Sequence, residues 1–219
     1  MAPKLEELDP IKKAKMETYQ HPILYNLIGP WISYPLLWGC PIHLLIKAGK
    51  ECIERCGLFL DIPSGPGNFY WKLVRYNSEA NYVAVDLSLS MLQRVKRIIP
   101  ENVEHALLIR ADAENLPFRK DTFNGCFSAN GLHAFSNPNI ALSEIHRILK
   151  PGSILTGSVV VTPKDGFWLA KRVMRSLEKK GSWGKLLSRD NLDDIFKHSG
   201  FKDFVLNQKG FVVIFRAVK

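Results

Sequence analysis

LFLDIPSGPGNFY, residues 58–70, joins a short apolar run to a turn that contains two glycines. Leu58–Leu60 has the composition of a buried strand, Asp61 follows it, and Ser64–Gly67 can form a tight loop before a helix. A strand, a glycine-rich turn and a helix in this order are typical of nucleotide-binding α/β proteins. Pro63 stands where such loops usually carry their first glycine. The stretch therefore predicts a ligand-binding loop after a first strand.

Strand-like and helix-like segments alternate after residue 57. We predict strands at Leu58–Ile62, Tyr82–Leu87, Ala106–Ala111, Gly125–Leu132, Ile154–Val161, Phe204–Asn207 and Phe211–Val218. We predict helices at Asn68–Tyr76, Ser90–Ile99, Asn139–Leu149 and Asn191–Ser199. Near-continuous apolar strands that alternate with helices indicate an α/β fold with a parallel, Rossmann-like doubly wound sheet covered on both faces.

Two short connections refine this prediction. Lys150-Pro151-Gly152 is expected to end the helix at 139–149, because proline and glycine both terminate helices. Residues 208–210 separate the last two strands and leave no room for a crossover helix, so these strands must form an antiparallel hairpin. The sequence thus predicts a seven-stranded sheet that ends in an antiparallel hairpin.

The composition limits the number of domains and the kinds of partner. A chain of 219 residues with 46% hydrophobic residues can bury one substantial core. The net charge of +9 favours anionic partners such as RNA, anionic lipid or a phosphorylated substrate. The four cysteines suggest reduced intracellular thiols, and no metal site is expected, because no further ligands stand at metal-binding spacing. The charged start, without an apolar run, predicts a cytoplasmic protein.

The segment Thr18–Ile46 contains no Lys, Arg, Asp or Glu. It is long enough to cross a bilayer, but its recurrent prolines make a continuous spanning helix unfavourable. Short helices that cover a pocket or lie at a membrane interface fit better, and Trp31, Tyr34 and Trp38 suit either role. We therefore predict a helical lid over residues 1–56 and a core over residues 57–219.

A second unusual segment, Pro163–Arg189, is inserted in the core. An apolar stripe is expected on one side of a helix and basic residues on the other; the stripe is Phe167, Ala170, Met174 and Leu177, and the basic residues are Lys171, Arg172, Arg175 and Lys179. The helix either packs its apolar side on the core or contacts anionic lipid or substrate. We expect this insertion to act as a substrate cap.

Acidic residues stand at the ends of the second and third predicted strands. Asp86 follows Gly67 at the distance where a carboxylate can accept hydrogen bonds from both ribose hydroxyls of a nucleotide. Asp112 is placed where it could accept a hydrogen bond from an adenine amino group. Because ligands bind at the carboxyl ends of parallel strands, these acids and the loop at 64–67 predict a nucleoside site.

Four motifs in this order resemble class I S-adenosylmethionine-dependent methyltransferases: DIPSGPG, VAVDLS, ADAENLPF and LHAFSNPNIALSEIHRILKPG. The resemblance covers about residues 57–219 and extends to the ubiquinone/menaquinone-biosynthesis group. It implies S-adenosylmethionine as the cofactor and a sheet with the antiparallel hairpin inferred above. Pro63 departs from the usual glycine, while Gly65 and Gly67 are retained.

The resemblance also implies roles for individual residues. Asp61, Pro63, Gly65 and Gly67 would bind the methionine and ribose portions of the donor, with Asp86 on the ribose hydroxyls and Leu87 against the adenine. Asp112 and Ala113 would bind the adenine edge, and Asn130 would lie near the sulfonium. Tyr25 would approach the donor as in quinone-type relatives, although Asn26 replaces the acid that follows it there.

A candidate base follows the fourth strand, and the two added segments indicate the class of methyl acceptor. An oxygen nucleophile needs a base, and His133, just past the fourth strand, is the candidate, with a role in the pocket wall as the alternative. The apolar residues of both added segments favour a small lipophilic acceptor such as a quinol, phenol, isoprenoid or lipid headgroup. Peripheral contact with an anionic membrane stays open, as do an RNA methyltransferase and a non-methylating protein that retains the fold.

Overall fold

The computed structural model describes residues 12, 34–35, 38–54, 57–100, 105–162, 172, 175–176, 178–179 and 187–219. In chain order the helices are α1 (Ile42–Ile53), α2 (Tyr70–Val74), α3 (Leu89–Ile98), α4 (Pro138–Ile148) and α5 (Arg189–Lys197). The strands are β1 (Leu58–Asp61), β2 (Asn81–Asp86), β3 (Ala106–Arg110), β4 (Phe123–Ala129), β5 (Leu149–Val160), β6 (Asp203–Lys209) and β7 (Val212–Val218).

The strands form one seven-stranded sheet in the order β3-β2-β1-β4-β5-β7-β6. The first five strands pair in parallel, whereas β7 pairs antiparallel with both β5 and β6. The chain crosses from one half of the sheet to the other between β1 and β4, which is the switch point where ligands bind in such folds. The predicted fold class, including the antiparallel hairpin, is confirmed.

The pleat of the strands sends alternate side chains to opposite faces of the sheet. On one face, Leu60, Val85 and Leu155 pack with the buried residues of α4 and α5. On the other face, Phe59, Ala84 and Val160 pack with the buried residues of α1, α2 and α3. This two-sided burial explains why the strands are almost continuously apolar.

Most predicted strand boundaries differ from the observed ones by one or two residues, and two differ by three or more. β4 ends at Ala129 and not at Leu132, because Asn130 adopts φ +55° and turns the chain out of the sheet. β5 begins at Leu149 and not at Ile154, so the sequence expected to separate helix and strand lies within the strand. The Gly152 amide donates to the Lys219 carbonyl at 2.9 Å, and this contact with the end of the chain extends the strand.

The segments predicted as a lid and a cap are described only in part. Residues 38–40 lie against the hairpin, where the Phe211 amide donates to the Trp38 carbonyl at 2.8 Å. Helix α1, within the predicted lid, packs on the sheet through Leu45, Cys52 and Ile53. Most of the predicted cap lies outside the described residues, although Arg172, Arg175 and Lys179 are helical and exposed. No helix in the described ranges combines the length and apolar character needed to cross a membrane.

Candidate functional site

A cavity that opens to solvent lies at the carboxyl ends of the parallel strands. The predicted cofactor-binding residues that line it are Asp61, Pro63, Gly65, Asp86, Leu87, Asp112, Ala113 and Asn130. Their roles toward a cofactor stay predictions, but the fold brings them to one place from four strands. Gly67 and His133 are not among the lining residues, and Tyr25 lies outside the described residues.

The loop after β1 is held by the neighbouring strands. The Ser64 amide donates to the Val85 carbonyl at 2.9 Å, and the Gly67 amide donates to the Ser64 carbonyl at 3.1 Å. Gly65 has φ +53°, and a Cβ added there would meet no heavy atom within 4 Å. Gly65 therefore leaves open cavity space above the loop, which a side chain would occupy.

Gly67 has a different reason to be glycine. Its φ is +78°, and an added Cβ would lie 2.6 Å from Ile98 Cδ1 and 3.3 Å from Val95 Cγ2. Both contacts belong to α3, so the absent side chain lets the loop approach that helix. Gly67 thus serves backbone conformation and packing, whereas Gly65 serves the cavity.

Asp86, at the end of β2, organises the loop. One carboxylate oxygen accepts from the Gly65 amide at 2.9 Å and the other accepts from the Ser88 amide at 2.8 Å. Burial raises the pKa of Asp86 to about 6, although backbone hydrogen bonds from Ser88, Gly65 and Leu87 oppose the shift. A carboxylate has about four acceptor positions, so Asp86 can also accept hydrogen bonds from ribose hydroxyls.

Asp61, at the end of β1, is also buried, and its carboxylate accepts a hydrogen bond from the Tyr82 hydroxyl. Burial raises the pKa of Asp61 to about 7; the Tyr82 hydrogen bond opposes this shift, and the charge of Asp86 adds to it. Two neighbouring carboxyl groups with raised pKa values favour a positively charged ligand, because a cation would stabilise both carboxylates.

The segment after β3 presents two further acids to the cavity. Asp112 accepts from the Glu114 amide at 3.0 Å. The Lys12 ammonium, from the N-terminal segment, donates to the Asp112 carboxylate at 2.6 Å and to the Glu114 carboxylate at 2.9 Å. Burial lowers the pKa of Lys12, but these hydrogen bonds and the two charges raise it overall. No local sequence pattern indicates a role for Lys12, because its partners lie 100 and 102 positions away along the chain.

A second ion pair fixes the segment after β3 from below. Glu144 and Arg147 of α4 are bonded to each other at 2.7 Å. The Leu116 amide donates to Glu144 at 2.8 Å, and Arg147 donates to the carbonyl oxygens of Leu116 and Phe118 at 3.0 and 2.8 Å. Hydrogen bonds to Arg147 and Leu116 hold the pKa of Glu144 below its ordinary value. Asp112 and Ala113 are therefore presented by a well-anchored turn.

The fourth strand ends in a strained residue. Asn130 has φ +55°, and its amide donates to the Ser158 carbonyl on β5 at 2.8 Å. Its side-chain oxygen is buried and has no hydrogen-bond partner among the described residues. His133, three residues later, is 6% exposed and lies in the same loop. Its role as a base stays a prediction.

Tyr34 is a site residue that the resemblance did not indicate. Its side chain is 1% exposed, lines the cavity, and lies with its hydroxyl 2.6 Å from the Ser158 hydroxyl. The only sequence signal was an aromatic residue in an uncharged segment, which suited a pocket cover. Phe69 and Phe135 also line the cavity, and we refer to the three side chains as its aromatic wall.

No group of three or more His, Cys, Asp or Glu side chains that could hold a metal ion occurs in the described part of the chain. Cys40, Cys52 and Cys126 are buried thiols.

The geometry agrees with the comparisons with known proteins. The profile of a family described as a methyltransferase domain matches residues 60–156, from β1 to the middle of β5. A phosphoethanolamine N-methyltransferase from Haemonchus contortus, solved with phosphomonomethylethanolamine and S-adenosylhomocysteine, superimposes with a TM-score of 0.74 at 16% identity over 97% of this chain and 61% of that chain. That likeness concerns the fold.

Methyltransferases from a plant and from a bacterium are among the relatives that are similar in sequence. A chloroplastic 2-methyl-6-phytyl-1,4-hydroquinone methyltransferase from Oryza sativa is 26% identical over 176 residues, which are 78% of this chain and 48% of the relative. A ubiquinone/menaquinone biosynthesis C-methyltransferase from Syntrophotalea carbinolica is 33% identical over 133 residues, 60% of this chain and 54% of the relative. The chain spans about half the length of the curated relatives it matches.

The sheet order, the loop after β1 and these matches define a class of protein. The chain has the fold of the class I S-adenosylmethionine-dependent methyltransferases, its residues 60–156 match a methyltransferase domain, and its resemblance to the quinone-biosynthesis members is distant. The cavity fits the donor of this family: Gly65 leaves the loop open, Asp86 and Asp112 present acceptors at two strand ends, and Asp61 and Asp86 suit a cation.

Proposed function

We propose that this protein transfers a methyl group from S-adenosylmethionine to a small acceptor with an apolar body. The observation that carries the proposal is the mixed lining of the cavity. Acidic groups line it at the ends of β1, β2 and β3, and the aromatic side chains of Tyr34, Phe69 and Phe135 line it as well. The acidic groups suit a polar nucleoside, and the aromatic groups suit a lipophilic acceptor.

Within this proposal, the residues of the chain bind and align. Asp86 accepts hydrogen bonds from the ribose and keeps the loop after β1 in place, Asp112 binds the adenine edge, and Asp61 provides negative charge near the cationic portion. The donor supplies an activated methyl group on its sulfonium. The remaining work is to hold the acceptor in line with that group and to exclude water, which the buried aromatic wall does.

The choice of acceptor class rests on the lining and on the relatives. The rice and Syntrophotalea proteins are named for hydroquinone methylation and for ubiquinone/menaquinone biosynthesis. Both names agree with an aromatic wall that packs on a ring or an isoprenoid chain. We therefore propose a quinol, phenol, isoprenoid or lipid headgroup as the acceptor, with His133 retained as the proposed base.

The test is methyl transfer from isotopically labelled S-adenosylmethionine to an acceptor panel, with products identified by mass spectrometry. The panel contains a naphthohydroquinone, a simple phenol, phosphoethanolamine and bulk tRNA. We expect labelled product with the hydroquinone or the phenol, and loss of that product in Asp86→Ala. Label in tRNA alone would favour the RNA methyltransferase that the net charge of +9 leaves open.

We also propose peripheral contact with an anionic membrane through the segment 163–189. Exposed Arg172, Arg175 and Lys179 support this proposal, because each basic residue near an anionic leaflet contributes about 1 kcal/mol. Flotation with anionic vesicles tests it. Met174→Asp should reduce binding more than Arg175→Ala, whereas the reverse order in a tRNA gel shift would indicate an RNA surface.

A further inference from the structure

The end of the cavity beside β4 and β5 contains a polar cluster that the binding of a nucleoside does not require. Ala129 of β4 pairs with Ser158 of β5, and the Asn130 amide donates to the Ser158 carbonyl at 2.8 Å. Asn130 and Ser158 are therefore neighbours at the carboxyl ends of β4 and β5. Asp86 ends β2 and Asp112 follows β3, and both strands lie on the other side of β1.

Tyr34 joins this cluster from the N-terminal segment. Its hydroxyl lies 2.6 Å from the Ser158 hydroxyl, Ser158 is completely buried, and Tyr34 is 1% exposed. Burying hydroxyl groups costs free energy that hydrogen bonds offset, and a phenylalanine with an apolar strand residue would fill the same space without that cost.

Asn130 shows a cost of the same kind. Its φ of +55° lies in the left-handed region, which costs a non-glycine residue of order 1 kcal/mol. Its buried side-chain oxygen has no partner among the described residues, and such an unsatisfied acceptor is destabilising. The next position requires glycine, because a Cβ on Gly131 would lie 2.5 Å from Pro63 Cδ. Asn130 is thus held in place with an acceptor that a ligand can satisfy.

We propose that the Tyr34 hydroxyl, held by Ser158, and the side-chain oxygen of Asn130 form a subsite that binds a hydroxyl group of the methyl acceptor. This inference rests on the proposed function and adds to it the group that is recognised. An amide oxygen only accepts hydrogen bonds, so the ligand must donate to Asn130. A tyrosine hydroxyl can donate, so the same ligand oxygen can accept from Tyr34. A hydroxyl group on an apolar body fulfils both conditions.

The surroundings of the subsite specify the rest of that ligand. Phe69, Phe135, Ala129 and Ala134 line the cavity with Tyr34 and Asn130. These side chains offer apolar contact and no charge. The acceptor is therefore an alcohol or phenol whose hydroxyl is recognised and whose ring or chain packs on the aromatic wall.

A pair of matched probes tests the subsite without knowledge of the natural acceptor. 1-Naphthol and 1-methoxynaphthalene have the same ring system, but only the naphthol can donate a hydrogen bond. Their affinities are measured on the full chain saturated with S-adenosylhomocysteine. We expect 1-naphthol to bind about tenfold more tightly than the ether, the equivalent of one to two neutral hydrogen bonds.

Three variants assign the discrimination to residues. Tyr34→Phe should weaken the binding of both probes at least about threefold, because either ligand oxygen can accept from the tyrosine hydroxyl, and leave the affinity for S-adenosylhomocysteine within about twofold of the wild type. Asn130→Gly should reduce the ratio between the two probes, because only the naphthol donates to its amide oxygen, and glycine accepts the left-handed backbone, so the loss reports the amide and not strain. Tyr70→Phe is the control, because Tyr70 is a buried tyrosine that does not line the cavity. Its ratio should equal that of the wild type.

The outcomes separate this inference from the proposed function. Equal affinities of the two probes for the wild type would overturn the subsite, as would a Tyr34→Phe variant that melts at a lower temperature but keeps the full affinity for both probes. In either case, retained binding of S-adenosylhomocysteine would leave the proposed methyl transfer intact. If S-adenosylhomocysteine does not bind, the proposed function and the subsite both fall.

Discussion

The Asp86 carboxylate accepts a hydrogen bond from the Gly65 amide at 2.9 Å, which ties the end of β2 to the loop after β1. The residue proposed to bind the ribose is thus also the one that shapes the loop beneath the donor. A substitution here removes both functions together.

Asp86→Ala should weaken the binding of S-adenosylmethionine by about 1.5–3 kcal/mol, since charge-assisted hydrogen bonds are lost. Asp86→Asn should lose nearly as much, because its amide group would face the backbone donors of Gly65 and Ser88 with one acceptor instead of two. Calorimetry measures both variants. Asp203→Ala, an exposed carboxylate on β6, is the control and should bind normally. An unchanged affinity in Asp86→Ala would contradict the assignment.

The affinity for S-adenosylmethionine should rise with pH between about 5.5 and 7.5. Burial raises the pKa of Asp61 to about 7 and that of Asp86 to about 6 in the free protein, and a cationic donor favours the carboxylates, so binding releases protons. Calorimetry in two buffers of different ionisation enthalpy measures this release. S-adenosylhomocysteine, which lacks the sulfonium charge, is the matched ligand and should show a weaker dependence. Identical pH profiles for both ligands would refute the prediction.

The same pKa values predict the sign of the stability change. In the unfolded chain both carboxyl groups return to the ordinary aspartate pKa, so above about pH 4 the unfolded state binds fewer protons than the folded state. The free energy of unfolding of the ligand-free protein should therefore decrease as pH rises from about 4 to 7. Denaturant titrations at several pH values measure it.

Gly65→Ala should mainly reduce the affinity for the donor, whereas Gly67→Ala should mainly reduce the stability of the fold. At Gly65 the new methyl group meets no protein atom and enters the cavity, so donor affinity should fall while the melting temperature falls slightly. At Gly67 the methyl group lies 2.6 Å from Ile98, so unfolding should become easier by about 1–3 kcal/mol. Thermal melts and calorimetry on the two variants separate these effects. Equal losses of affinity and stability in both would contradict the roles assigned here.

The Lys12 ammonium lies 2.6 Å from a carboxylate oxygen of Asp112, the residue that is proposed to bind the adenine edge. A donor that needs Asp112 must share or displace this contact. Lys12→Met, which keeps the length of the side chain, should tighten donor binding about three- to tenfold, the value of one partly buried ion pair. Lys202→Met, at an exposed position, is the control. Weaker binding in Lys12→Met would mean that Lys12 covers the donor instead.

The fold was predictable because its signals are local. Continuous apolar strands, the turn at residues 64–67 and the short connection at 208–210 each specify a structure within a few residues. The start of β5 was not predictable in this way. Pro151 and Gly152 indicate a break, whereas the pairing of Leu149 with Phe123 and the contact of Gly152 with Lys219, both distant in the chain, keep this stretch in the strand.

The residues of the candidate site were also predictable only where their signals are local. Asp61, Asp86 and Asp112 were found because each stands at or next to the end of a strand, and strand ends meet at one edge of a parallel sheet. Tyr34 and Ser158 were not paired, because 124 positions separate them and no periodicity connects them. The different needs for glycine at positions 65 and 67 also depend on tertiary packing against α3.

Calorimetric titration of the purified full chain with S-adenosylmethionine decides whether this cavity is a donor site. We expect one molecule to bind per chain with a dissociation constant in the micromolar range, which corresponds to a binding free energy of about −8 kcal/mol. The melting temperature should rise with donor concentration. No binding heat and no shift of the melting temperature at about 1 mM donor, for a protein that is folded, would contradict it.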